Sequence, residues 1–139
     1  MVPPRILVLY DDDPPAQLCD LLATAGYTVL TRSHAALSMP ELAQSPPDLL
    51  VLAWRGGHEA AGWQACKWVK YYPPTAAIPL LVYTPATPWV QEVAGFLASQ
   101  GVGLVYQPVT RAALHAGLAR ALAPAGPRQA AAGGAEGAA

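Results

Sequence analysis

Three consecutive carboxylates, Asp11, Asp12 and Asp13, directly follow the apolar run Ile6-Leu7-Val8-Leu9-Tyr10. Neighbouring carboxylates are hard oxygen donors of the kind Mg²⁺ accepts. Asp11 and Asp12 without a third carboxylate support weak Mg²⁺ binding at most, so no cofactor is expected. The competing role is structural: one carboxylate caps the helix that follows, with Asp13 the expected N-cap. His34, His58 and His115 lack metal-ligand spacing and are expected to be solvated. Cys19 and Cys66 form neither a metal motif nor a disulfide framework. No Ser-His-Asp set or glycine-rich phosphate loop is visible, and Gly56-Gly57 marks only a flexible loop. These residues predict no catalytic site and no enzyme.

The bulk composition points to protein contact. The 139 residues suffice for one domain with a real core. Only 12% are charged, against about 25% in an average domain. A net charge of −1 gives no electrostatic reason to expect nucleic acid or an anionic membrane as partner. No run of about 18 apolar residues lacks charges or prolines, so no membrane span is expected. The N-terminus enters a strand-like run without a signal peptide, which predicts a cytoplasmic protein.

Short apolar runs alternate with stretches of helical spacing. Strands are expected at 6–10, 27–31, 49–53, 78–83 and 102–106. Continuous apolar character marks strands buried on both faces. Between them, Leu18, Leu21, Leu22 and Ala25 keep helical spacing up to Gly26. Ser38 with Glu41 forms a capping-box pattern before a short helix. Further helices are expected over about 62–70, from Thr87-Pro88 to about Gln100, and over 111–122 with Thr110 as cap. Such alternation predicts an α/β fold, a doubly wound parallel sheet with helices on both faces. The flavodoxin-like strand order 2-1-3-4-5 is the commonest at this size. The domain is expected to span 1–123. The Ala, Gly and Pro-rich stretch 124–139 reads as a disordered tail with no output domain attached.

The sequence from Arg5 to about Leu122 resembles the receiver domain of two-component response regulators. The resemblance rests on Arg5 to Pro14 as first strand and acidic pair, Ala25 to Val29, Pro46 to Leu52, Ala77 to Thr84 and Gln107-Pro108-Val109. It implies a pocket at the carboxyl edge of the sheet, where ligands sit in open α/β folds. Asp11 and Asp12 match the acidic pair of that pocket, and Thr84 matches the switch hydroxyl. The phosphoacceptor position falls on Ala53 and the lysine position on Gln107. A methyl group cannot form an acyl phosphate, and Gln107 brings no cation. Asp48 lies five residues upstream of Ala53, roughly 16 Å away at strand rise. Glu59 lies in the following loop. The switch aromatic position falls on Leu104, with Tyr106 expected on the other face. A cis peptide before Pro108 is also implied, with a tight turn as its physical motive.

These departures describe a degenerate receiver that signals by phosphorylation-independent protein contact. The expected partner is a signalling protein: a kinase, a regulator or a second copy in a homodimer. The alternative is a module gated by a small molecule in the vacated pocket near Ala53 and Trp54. Trp63, Cys66 and Val69 share one helix face and are expected in the core. Trp68 and Tyr72, four residues apart, are a candidate exposed aromatic patch, the alternative being that Trp68 folds back over the sheet edge. Trp89 opens the fourth helix near the face receivers use for dimer contacts, which makes it a third candidate partner residue.

Overall fold

A computed structural model describes residues 3–54, 59–107 and 109–122. The expectations for His58, for Pro108 and for the 124–139 tail lie outside the described residues. In chain order the elements are β1 (Arg5–Tyr10), α1 (Ala16–Thr24), β2 (Thr28–Ser33), α2 (Met39–Gln44), β3 (Leu49–Ala53), α3 (Glu59–Tyr71), β4 (Leu80–Pro85), α4 (Pro88–Ser99), β5 (Gly103–Gln107) and α5 (Arg111–Leu122). All strand pairs are parallel, and the order is β2-β1-β3-β4-β5, the predicted flavodoxin-like topology.

Alternation along the strands builds two cores. Leu50, Leu52 and Trp54 join Leu9, Val82, Cys66, Val69, Val90 and Leu97 beneath α2, α3 and α4. Leu49, Val51 and Ala53 join Ile6, Val8, Leu81, Leu18, Leu22, Leu114 and Leu118 beneath α1 and α5. Every residue of β3 is buried, so its apolar run reports a strand covered on both sides. Cys66 belongs to the first core and Cys19 borders the second, and both are free thiols. Burial raises the pKa of both, with Asp20 adding to the effect at Cys19 and Lys70 opposing it at Cys66.

The helix ends follow local chemistry with one correction. Ser38 Oγ accepts the Glu41 N–H at 3.3 Å, Thr87 Oγ1 accepts the Val90 N–H at 3.3 Å, and Thr110 Oγ1 accepts the Ala113 N–H at 3.1 Å. Gly26 (φ +100°) and Gly101 (φ +77°) close α1 and α4 in the left-handed region that glycine adopts without strain. Asp13 does not cap α1. Pro15 occupies the N-cap in an extended conformation with no side-chain cap, so the helix starts beyond the reach of Asp13. The Pro14-Pro15 pair delays the first turn, since a residue before proline is pushed to extended backbone.

Two further details position the site. Asp48 fastens the amino edge: its Oδ2 accepts the Arg5 N–H at 2.7 Å and its own N–H donates to the Arg5 carbonyl at 2.8 Å. It therefore stands at the end of β3 opposite Ala53, as strand rise requires. Helix α3 begins at Glu59, earlier than expected, and its Gly62 lies directly under the Trp54 indole. A Cβ at Gly62 would overlap that ring.

Candidate functional site at the carboxyl edge of the sheet

The carboxyl ends of β1, β3, β4 and β5 converge because the strands pair in parallel. Leu9 faces Leu52, Ala53 faces Tyr83, Thr84 faces Tyr106, and Pro85 faces Gln107. These ends enclose a cleft of about 260 Å³ whose walls include Tyr10, Asp11, Asp13, Ala53, Tyr83 and Gln107. Asp11 is half-buried on the wall, while Asp12 and Asp13 are exposed. Asp13 rather than Asp12 joins Asp11 in lining the cleft.

Ala53 is buried and presents a methyl group to this cleft. Gln107 spans the strand ends, its Nε2 donating to the Trp54 carbonyl at 3.3 Å. The amide thus makes a neutral bond to the residue after Ala53. Thr84 is fully buried, and its hydroxyl donates to the Pro85 carbonyl at 3.0 Å. Tyr83 lines the cleft, and burial raises the pKa of its phenol, with the Cys19 thiol adding to the effect.

His34 belongs to the same edge and is not solvated as expected. It opens a 3-10 turn after β2, and its imidazole feels the Ala53 backbone and the charge of Asp11. Burial outweighs both of those upward influences and lowers its pKa below the usual histidine value. The placement follows from register, because Ser33 pairs with Tyr10 and so brings the next residues, His34 and Asp11, side by side. That signal was present in the predicted strand order.

The receiver arrangement holds Mg²⁺ through a carboxylate cluster that includes the phosphoacceptor. At the end of β3 the cleft wall is the Ala53 methyl, which is not a metal ligand. Among the described residues, no three His, Cys, Asp or Glu side chains are grouped to hold an ion. The donors around Ala53 do not make up the set that the fold family uses.

The aromatic residues lie on the other side of Trp54. Its ring is tilted against Trp89 at a centroid distance of 5.8 Å. Trp89 meets Trp63 edge-on at 5.8 Å, and Trp63 meets Phe96 at 5.7 Å. Trp63 is half-buried at the rim of the core rather than inside it. Trp68 and Tyr72 are exposed at 51% and 37%, which selects the exposed patch over a Trp68 folded onto the sheet edge, and Tyr71 is exposed at 71%. The sequence reading overlooked Tyr71. On β5, Val105 enters the core under α5 while Leu104 borders the core under α4. Tyr106, two residues beyond Leu104, shares its face, which corrects the expectation that strand alternation separates them.

No family model and no curated protein matches this chain. Solved structures do. A candidate response regulator of Chloroflexus aurantiacus is 26% identical, with 87% of this chain and 98% of that chain covered at a TM-score of 0.69. The N-terminal domain of a response regulator receiver protein of Methanoculleus marisnigri is 28% identical, with coverage of 86% and 97% and a TM-score of 0.57. A chemotaxis response regulator of Vibrio cholerae is 19% identical, with coverage of 87% and 100% and a TM-score of 0.66. The structural neighbours are thus response regulator receiver domains, and the strand order and helical layers of this chain are those of the receiver fold.

Proposed function

We propose that this chain is a pseudo-receiver: a module of two-component-type signalling that acts by protein contact and does not accept a phosphoryl group. The observation that carries the reading is the pairing at the carboxyl edge of the buried Ala53 methyl with the neutral Gln107 amide bonded to the Trp54 carbonyl. A receiver needs a carboxylate nucleophile at the first position and a cation at the second. Neither is present, and Asp48 lies at the opposite edge, fastened to Arg5. With no nucleophile, the chain is not an enzyme of phosphoryl transfer, and its output is the surface it offers to a kinase, a regulator or a second copy.

The alternative, gating by a small molecule in the vacated pocket, has less support. The cleft of about 260 Å³ falls below the range of roughly 300–1,000 Å³ common for ligand sites. The test is intact mass after incubation with acetyl phosphate and Mg²⁺, beside a response regulator competent for phosphorylation. The expected result is a phosphoryl adduct on the control and none on this chain. An adduct on this chain would overturn the reading.

A further inference from the structure

Seven large hydrophobic residues are exposed among the described residues, and five of them, Trp68, Tyr71, Tyr72, Trp89 and Phe96, lie on α3, α4 or the turn after α3. Single exposed apolar residues need no explanation, but such a concentration marks a contact surface. Its most open part is a shallow depression between α2 and α3 lined by Met39, Gln64, Lys67, Trp68, Tyr71 and Tyr72. Lys67 and Tyr71 also line the cleft toward α4, so the two areas are continuous.

The charge on this surface is one-sided. Lys67 and Lys70 are the only lysines in the sequence, and both stand on α3. Neither makes an ion pair among the described residues. The nearby carboxylate of Glu41 is taken by Arg32 at 3.0 Å. No acid lines the depression. Glu92 stands on α4, between Trp89 and Phe96, away from it. In a chain of net charge −1, this is a local cationic and aromatic site.

We infer that the depression between α2 and α3 binds an acidic amphipathic segment of a partner protein. Its apolar side chains would seat on Trp68, Tyr71 and Met39, and its carboxylates would meet Lys67 and Lys70. Aromatic anchors ringed by charge supply affinity and orientation in that order. The inference deepens the protein-contact reading by naming the partner's chemistry.

The test is fluorescence titration of the full chain with a helical peptide of about 18 residues, leucine and phenylalanine at i, i+3, i+4 and i+7 and glutamate elsewhere. Comparators are the same peptide with lysine for every glutamate, an oligothymidylate and vesicles of anionic lipid. The acidic peptide is expected to bind best. Trp68→Ala and Tyr71→Ala should each weaken it by about tenfold or more, with circular dichroism unchanged because both side chains are exposed. Lys67→Glu should reverse the preference toward the basic peptide. Equal binding of both peptides, preference for oligothymidylate or vesicles, or indifference to Trp68→Ala and Lys67→Glu would overturn the inference. So would self-association of the free chain abolished by Trp68→Ala. The outcome is independent of the phosphorylation assay: an adduct there would sink the pseudo-receiver reading and leave this site standing.

Discussion

The carboxyl-edge cleft and the outer face of α3 differ in how they treat polarity. The cleft sets Asp11 beside a methyl group and a neutral amide whose Nε2 donates to the Trp54 carbonyl, and His34 lies on the same edge. Among the described residues the α3 face shows no side-chain hydrogen bond or ion pair, yet it carries two lysines and the most exposed aromatic side chains. At the cleft edge His34 Nδ1 and Trp54 Nε1 are buried without a hydrogen-bond partner, whereas the α3 face exposes its aromatic rings to solvent.

The largest expected effect is at Trp54, where the cleft wall meets α3 and α4. Trp54→Ala removes a 1%-exposed indole seated on Gly62 and Trp89. Loss of a buried tryptophan costs about 3–5 kcal/mol, and urea unfolding of the variant should read that loss. A midpoint equal to that of the parent would break the view of Trp54 as a buried anchor between the cleft wall and the α3–α4 layer.

A smaller effect tests the cleft alone. Ala53→Asp places a carboxylate in a 6%-exposed position beside Asp11. With no cation opposite, the variant should lose about 1–3 kcal/mol. Adding Gln107→Lys should recover a measurable part of that loss, because the ammonium would face the new charge. Additive losses in the double variant, measured by a double-mutant cycle, would mean that the strand ends are not poised as described.

The smallest effect sharpens the electrostatics. The pKa of His34 is lowered on folding, from an unfolded value of about 6.5. The unfolded chain therefore binds the proton more readily. The His34 contribution is complete above about pH 6.5 and is lost as pH falls toward the folded pKa. Stability measured between pH 7.5 and 5.5 should decline on acidification, and His34→Gln should flatten the decline. Identical slopes would remove His34 from the electrostatics of the cleft.

Much of this was legible in the sequence. Continuous apolar runs marked β1 and β3, shorter apolar stretches marked the others, and their alternation with helical spacing led to the parallel order. Ser38, Thr87 and Thr110 announced their caps, because capping is a local bond between residues three apart. Asp13 misled for an equally local reason, the proline pair that postpones α1. Ala53 and Gln107 could be placed by counting along strands. Helical spacing put Trp68 and Tyr72 on one side but left open whether Trp68 faces solvent or the sheet edge, and Tyr71 was missed because spacing alone says little about a residue at a helix end.

The sequence by itself determined the order of elements, the two faces of each strand and the side-chain chemistry available at each strand end. Only the tertiary structure decided which of those groups meet. His34 reaches Asp11 and Ala53 through β2–β1–β3 register, Trp54 packs on Gly62 through the close approach of α3, and Trp63 and Phe96 join across two helices. Each contact links residues from different elements. Parallel pairing and right-handed crossovers set those distances, which no local spacing in the chain contains.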